Sequence, residues 1–262
     1  MPSKEEYQKY KEKYGDAYLK AESKRVCEWA KKNRERFNAR RRNNLRSQLS
    51  RIKKQARDRG YAVDLDDGEM EAMLTSACVY CGAAPDPFNT IDRLDNRQGY
   101  VTGNVAACCS TCNMMKGCLD PQTFIERCAH ISSLNGGPGQ PCSSWANTSP
   151  KGVTMQICIR SARKKDLEFG LTEDEYNALT SGTCAFCHRP STTEHRNGID
   201  RVDPATGYVP GNCVTCCGQC NIAKKRASAD EFIAKAREIA GRDHADYSQL
   251  PRCLHIITRR KL

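Results

Sequence analysis

The chain has 262 residues, of which 39% are hydrophobic and only 7% aromatic, and it contains 17 cysteines. An apolar content this low leaves thin cores for one or two domains, so another source of stability is needed. No apolar run approaches the length of a membrane span and no secretory leader is recognisable, so we expect no membrane partner and an intracellular protein. In that setting cysteines more often bind metal than form disulfides.

The net charge of +11 is concentrated near the N-terminus. Residues 1–60 carry 20 Lys and Arg against 8 Asp and Glu, a net charge of +12, and the remainder is close to neutral. Apolar residues at Leu45, Leu49 and Ile52 keep helical spacing, which predicts a basic helical arm over residues 1–55. Its charge forms either a solvated face or a surface that contacts nucleic-acid phosphates. The candidate phosphate contacts are Arg40, Arg41, Arg42, Arg46, Lys53 and Lys54.

A fourteen-residue stretch occurs twice in the chain. "IDRLDNRQGYVTGN" at residues 91–104 returns as "IDRVDPATGYVPGN" at residues 199–212, and each copy lies between two CxxC pairs. This internal repeat predicts two modules. The predicted boundaries are a first module at 56–131, a Gly-, Pro- and Ser-rich linker at 132–155, a second module at 156–241 and a C-terminal tail at 242–262 without an assigned role.

The CxxC pairs define one metal frame in each repeat. The two frames are Cys78, Cys81, Cys109 and Cys112, and Cys184, Cys187, Cys217 and Cys220. Four thiolates in this spacing suit a closed tetrahedral zinc site, and the frame occurs twice in register. Cys108 and Cys216 adjoin the second pairs and are alternative ligands, and disulfide or redox chemistry is the competing interpretation. We therefore expect two structural Zn(II) ions that compensate for the thin cores.

The segments between and after the CxxC pairs predict a hairpin and a helix. "TIDRL" and "GYV" suit two short strands around a turn, and "CNMMK" and "CNIAK" begin a helix. CxxC, Asp-Arg, Gly-Tyr, Asn and CxxC-Asn-x-x-Lys together resemble the HNH, or ββα-metal, nuclease family over most of each repeat. The resemblance implies an α+β fold of two tandem zinc-stapled ββα modules preceded by the basic helical arm.

The same resemblance implies a site and a partner. In the family an Asp and an Asn hold one divalent metal on the scissile phosphate, which corresponds to Asp92 with Asn113 and Asp200 with Asn221. Mg(II) prefers such oxygen ligands and keeps several waters. The implied partner is nucleic acid, with DNA favoured over RNA.

The residue after each Asp departs from the family pattern. The family has a general-base His there, whereas this chain has Arg93 and Arg201, which cannot accept a proton. A restriction-enzyme branch of the family with an Asp-Arg pair implies a Tyr base or nucleophile, which corresponds to Tyr176 in repeat two and Met70 in repeat one. The same branch implies that Arg201, with the metal, stabilises the charge of the phosphorane, and Arg93 is the matching catalytic candidate of repeat one. Beside Arg201 and a metal we expect the phenol pKa to fall from ~10. Packing on the zinc module is the competing role for Tyr176.

Two hypotheses follow. In the first, the chain is a Mg-dependent DNA endonuclease of HNH type in which repeat two cuts while repeat one and the arm hold the substrate. In the second, both modules are catalytically inactive and bind nucleic acid or build a large assembly such as a virion or ribonucleoprotein. The Asp and Asn pair in both repeats favours the first hypothesis. Arg at both base positions and Met70 favour the second.

Overall fold

The computed structural model describes residues 13, 15, 21–29, 33, 43–142 and 154–254. The chain divides into two compact units, Met1–Gln55 and Ala56–Leu262. Within the described part of the first unit, residues 21–29 are helical. Helix α1 (Leu45–Arg57) begins in this unit and ends two residues past its boundary. On α1, Arg46 and Lys54 are exposed and Lys53 is partly exposed, whereas Arg40, Arg41 and Arg42 lie outside the described residues. No helix in the described ranges is long and apolar enough to cross a membrane.

The second unit repeats one order of elements. Its first half contains α2 (Asp67–Thr75), β1 (Thr90–Arg93), β2 (Val105–Cys108), α3 (Ser110–Lys116) and α4 (Pro121–Leu134). Its second half contains α5 (Met155–Arg163), α6 (Glu173–Ser181), β3 (Gly198–Arg201), β4 (Cys213–Cys216), α7 (Gly218–Lys224) and α8 (Ala229–Ala240). The predicted α+β class is confirmed: β1 pairs antiparallel with β2, and β3 with β4, in two separate two-stranded sheets.

Short sequence signals determine where the helices begin. Capping boxes at Asp66, Thr172 and Ser228 start α2, α6 and α8, because each side chain accepts a backbone N–H that the first turn leaves unpaired. Helices α3 and α7 begin differently, with a cysteine at the N-cap. The sulfurs of Cys109 and Cys217 accept from the third residue beyond them at 3.4 Å, so the metal frame and the helix start coincide.

The Gly-Tyr pair of the repeated stretch lies against another backbone segment. Tyr100 N donates to Ala62 O at 2.9 Å, and a Cβ at Gly99 would lie 2.3 Å from that oxygen. In repeat two a Cβ at Gly207 would lie 2.5 Å from Glu168 O. Only glycine permits this approach, which joins the hairpin to the segment that leads into α2 or α6.

The two repeats of the second unit share one apolar core. Helices α4 and α8 pack against each other, and the core combines buried cysteines and aromatic rings of both halves. Tyr80 meets Phe124 edge to face at 5.1 Å between centroids, and Phe186 meets Phe232 likewise at 5.2 Å. Helix α4 also extends three residues past 131, the predicted end of the first module.

The described part of the C-terminal tail returns to repeat one. Arg252 forms an ion pair with Glu126 at 2.6 Å, and Cys253 N donates to the buried Asp120 carboxylate at 2.7 Å. The sequence indicated no role for this segment. The described part of the tail therefore contacts the start and the middle of α4.

We expect Gly207→Ala to lower the free energy of unfolding by about 1–3 kcal/mol, the usual cost of overpacking a closely packed site. The added methyl group would collide with Glu168 O. Gly170→Ala is the matched control, because a Cβ there meets only ordinary contacts at 3.4 Å or more and the glycine backbone does not need a positive φ. Urea denaturation of both variants measures the difference, and equal loss of stability would contradict this account.

Candidate metal centres and nuclease-like site

The predicted cysteines form two groups of four. Within each group the sulfurs all lie within 4.8 Å of one another, as one tetrahedral ion requires. The Cys81 and Cys109 sulfurs are 3.7 Å apart, and so are those of Cys187 and Cys217. Both groups can therefore hold a metal ion, and an all-thiol donor set suits zinc.

The thiols next to each frame do not join it. Cys108 and Cys216 are fully buried, and each sulfur donates to the following backbone carbonyl at 3.4 Å. The structure therefore groups the eight cysteines that the spacing predicted and leaves Cys108 and Cys216 outside both groups. Hydrogen bonds from Cys108 and the other thiols of repeat one lower the pKa of Cys78. Hydrogen bonds from Cys187 and the other thiols of repeat two lower the pKa of Cys184. Each group thus stabilises a thiolate, the form that binds metal.

In repeat one both carboxylate oxygens of the candidate metal ligand Asp92 accept hydrogen bonds. It lies on β1 and is only 1% exposed. Tyr80 OH donates to its Oδ2 at 2.7 Å, and Lys116 Nζ donates to its Oδ1 at 3.1 Å. Lys116 is fully buried and also donates to Arg93 O at 2.9 Å. Burial raises the pKa of Asp92 while Lys116 opposes the shift.

In repeat two the corresponding Asp200 has a different set of partners. Phe186 takes the place of Tyr80, so the phenol donor is missing. Asp200 Oδ2 lies 2.9 Å from Lys224 Nζ, but the contact is an ion pair without hydrogen-bond geometry. Lys224 instead donates to Arg201 O at 3.0 Å. Asp200 Oδ2 thus has Lys224 as its partner and no phenol donor, in contrast to Asp92.

The two asparagines predicted as metal ligands lie beside the first strands. Asn113 Nδ2 donates to Thr90 Oγ1 at 2.9 Å, and Asn221 Nδ2 donates to Ile199 O at 3.2 Å. Each amide nitrogen therefore donates a hydrogen bond to a residue one or two positions before the Asp. The amide oxygen is the side-chain atom that remains for a cation, so the donor set at Asp200 and Asn221 suits Mg(II) in type.

The arginines after the aspartates tie their own turns. Arg93 donates to Asn96 O at 3.1 Å and to Gln98 O at 2.8 Å, and its guanidinium lies 3.8 Å above the Tyr61 ring. Arg201 likewise donates to Pro204 O at 2.6 Å and to Thr206 O at 3.0 Å. These contacts depend on proximity across a folded turn, which the sequence does not show. The sequence analysis therefore assigned the charge of Arg201 to the phosphorane and missed this bracing role.

Tyr176 lies in an apolar cluster. It is 4% exposed and packs with Cys158, Leu171 and Ile199, and Met70 is fully buried at the matching position of repeat one. Burial raises the pKa of Tyr176, although Arg196 acts in the opposite direction. Burial thus shifts this pKa in the direction opposite to the lowering expected beside a metal, because desolvation of the phenolate outweighs the nearby cation. His195, five residues before Asp200, is also buried, and its Nε2 lies 2.9 Å from Asn197 Oδ1.

Two site residues in each repeat escaped the sequence analysis. The Lys of "CNMMK" and "CNIAK" was part of the family pattern, yet its ion pair with the aspartate was not anticipated. The second such residue is Tyr80 or Phe186, which comes directly before the second Cys of the first CxxC pair. A residue-by-residue alignment of "CVYC" with "CAFC" was the available signal, because it shows a hydroxyl in one copy only.

No protein-family model matches. The chain is 35% identical over 191 residues to "Uncharacterized protein R423" of Acanthamoeba polyphaga mimivirus, matching 72% of this chain and 36% of that protein, so it spans about a third of that relative. Among solved structures it is similar to the rare-cutting HNH restriction endonuclease PacI at 23% identity and a TM-score of 0.26, over 33% of this chain and 73% of PacI. A TM-score this low does not establish a common fold.

The purified chain should contain two equivalents of zinc, one for each group of four cysteines. Chelation should unfold the second unit, because a structural site of this kind is worth about 10 kcal/mol. Elemental analysis and thermal unfolding with and without chelator measure both effects. A zinc-free chain with an unchanged melting temperature would contradict the assignment.

Lys116→Met should lower the free energy of unfolding by about 3–5 kcal/mol, because it leaves the Asp92 carboxylate buried without its cation. Tyr80→Phe removes a single hydrogen bond to the same carboxylate and should cost about 1–3 kcal/mol. Denaturant titration at neutral pH measures both, and a smaller loss for Lys116→Met than for Tyr80→Phe would be inconsistent with this ranking.

Proposed function

We propose that the chain is a nucleic-acid-binding zinc protein whose second repeat has a Mg-dependent phosphodiesterase centre at Asp200. One observation carries the proposal: Asp200 Oδ2 pairs with Lys224 and lacks a phenol donor, whereas Asp92 accepts hydrogen bonds from both Tyr80 and Lys116. The Asp, Asn and CxxC-Asn-x-x-Lys pattern of the HNH family supports the assignment to phosphodiester chemistry.

A cation would meet different opposition at the two carboxylates. At Asp92 it would have to displace both the phenol of Tyr80 and the ammonium of Lys116 from a site closed to solvent. At Asp200 it would compete with Lys224 alone for Oδ2, and the carboxylate is 8% exposed. Repeat two is therefore the candidate centre, and repeat one is closed.

The surroundings of Asp200 suit a phosphate. Lys165 lies within electrostatic range of Asp200 and of two further cations, Arg201 and Arg226. Partial burial, and after it the charge of these arginines, lowers the pKa of Lys165. Cations that repel one another in this way are stabilised by an anion placed between them.

Asp200 and the amide oxygen of Asn221 would hold the metal, which would stabilise charge on a phosphodiester and lower the pKa of a bound water. In this proposal Tyr176 is a packing residue of α6 and Arg201 braces the hairpin turn. Nucleic acid would be held by the cations around Asp200 and by the basic residues of the first unit.

A second candidate function has its own supporting observation. Arg93 and Arg201 brace their turns in the same way, and Tyr176 is buried as Met70 is. Both repeats would then be non-catalytic zinc modules that bind nucleic acid or serve in a larger assembly. In that case Lys224 remains paired with Asp200 at all times.

We expect the full-length zinc-loaded chain to cut supercoiled plasmid or single-stranded DNA with Mg(II) and not with EDTA. Asp200→Asn should lower the rate on the order of 100-fold, the effect of removing one electrostatic contact from a transition state. Asp203→Asn, in the exposed turn of the same hairpin, is the matched control and should cut normally. Zinc content is measured for every variant.

A further variant transfers the closed state from repeat one to repeat two. Phe186→Tyr would place a phenol near Asp200, as Tyr80 lies near Asp92, and should slow cutting at limiting Mg(II). Normal cutting by Asp200→Asn would contradict the proposed centre. Salt-sensitive DNA binding without cutting by the unaltered chain would support the non-catalytic function instead.

A further inference from the structure

Each group of four cysteines lies next to a cation from the opposite repeat. Helix α4 of repeat one approaches the cysteine group of repeat two, and helix α8 of repeat two approaches that of repeat one. The two cations are Arg127 and Lys235, which are 108 positions apart, the same offset as the repeated stretch. They are therefore equivalent residues in crossed positions.

Arg127 serves the second group. It is 6% exposed, and its NH1 donates to Oε1 of Gln219, which stands between the ligands Cys217 and Cys220. Burial lowers the pKa of Arg127, and the negative charge of Cys220 and Cys217 opposes that shift. The neighbouring His130 of α4 also contacts Cys187 O at 2.9 Å.

Lys235 serves the first group. Its Nζ lies 3.8 Å from Cys81 Sγ and forms an ion pair with Glu238. Burial acts to lower the pKa of Lys235, but Glu238 and the thiols of Cys81 and Cys112 outweigh it and raise the pKa. Arg242 also reaches this site, because its guanidinium occupies the space beside Gly82 directly after the first CxxC pair.

We infer that the metal centres are completed across the repeat interface: Lys235 of repeat two stabilises the metal-bound thiolates of repeat one, and Arg127 of repeat one stabilises those of repeat two. Four thiolates outnumber the two positive charges of zinc, so each loaded centre is an anion largely buried in an apolar core. A buried anion needs a nearby cation or donor. This inference goes beyond the proposed nuclease centre and rests only on zinc in the two cysteine groups.

The arrangement couples metal binding to docking of the repeats. Separating α4 from α8 would remove the cation from both centres at once, and losing the second metal would leave the buried Arg127 without the counter-charge of that centre. Metal release at one centre should therefore depend on a side chain of the other repeat. A pair of independent zinc modules would show no such crossed dependence.

The test is residue-resolved thiol alkylation of the full-length zinc-loaded chain with N-ethylmaleimide and peptide mass spectrometry. Lys235→Met should speed labelling of Cys78, Cys81, Cys109 and Cys112 about tenfold and leave the second group unchanged, since an outer-shell partner typically changes metal affinity 10–100-fold. Arg127→Met should speed labelling of the second group instead. Lys235→Arg and Arg127→Lys, which keep the charge, should label nearly as slowly as the unaltered chain.

The controls separate charge from folding and from zinc content. Lys164→Met removes one exposed cation elsewhere in repeat two and should leave both groups protected. Faster labelling of the variant's own repeat, equal labelling of both groups, or no rescue by Lys235→Arg and Arg127→Lys would overturn the inference. Zinc is counted in the unaltered chain first, so a chain without zinc refutes the metal assignment itself while leaving the separate cleavage test of Asp200 intact.

Discussion

The second unit depends on concentrating negative charge inside a thin apolar core. Two groups of four thiols lie among the aromatic rings that α4 and α8 bring together. Thiols at these distances cannot all ionise unless a cation neutralises them, and a metal ion is the partner that matches four sulfurs. The same cysteines begin α3 and α7, so the metal frame also orients the helices that carry Lys116 and Lys224. Loss of the metal would remove the core, the helix starts and the buried ion pairs together.

One side chain in the metal frame decides the state of the neighbouring carboxylate. Tyr80 and Phe186 occupy equivalent positions and make the same edge-to-face contact with a phenylalanine of α4 or α8. The hydroxyl of Tyr80 donates to Asp92, while its absence in Phe186 leaves Asp200 Oδ2 with Lys224 and no phenol donor. Packing is thus preserved in both repeats, and only the electrostatic environment of the aspartate differs. A difference of one hydroxyl therefore gives two chemically distinct sites on nearly the same backbone.

Features that depend on spacing along the chain could be predicted from the sequence, and features that depend on crossed contacts could not. CxxC spacing identified the eight clustered cysteines, and the hairpin and α3 or α7 follow from turn residues and from the CxxC-Asn pattern. The turn-bracing role of Arg93 depends on carbonyl directions within the folded loop. The raised pKa of Tyr176 depends on the desolvation that its packing creates, which sequence position alone does not reveal. Apolar faces on α4 and α8 suited packing on their own module equally well.

The interface between the repeats makes each repeat depend on a residue of the other. Each repeat supplies four thiols, a hairpin and a buried Asp–Lys pair, but the cation beside its metal group comes from the other repeat. An isolated repeat would keep the metal ligands and lose the residue that compensates their charge. Because buried anions without compensation are costly, the folded state of either repeat is stabilised by the presence of the other. Asp200 pairs with Lys224, the last residue of the helix that begins at Cys217 of the second metal group, and therefore depends on repeat one through that group.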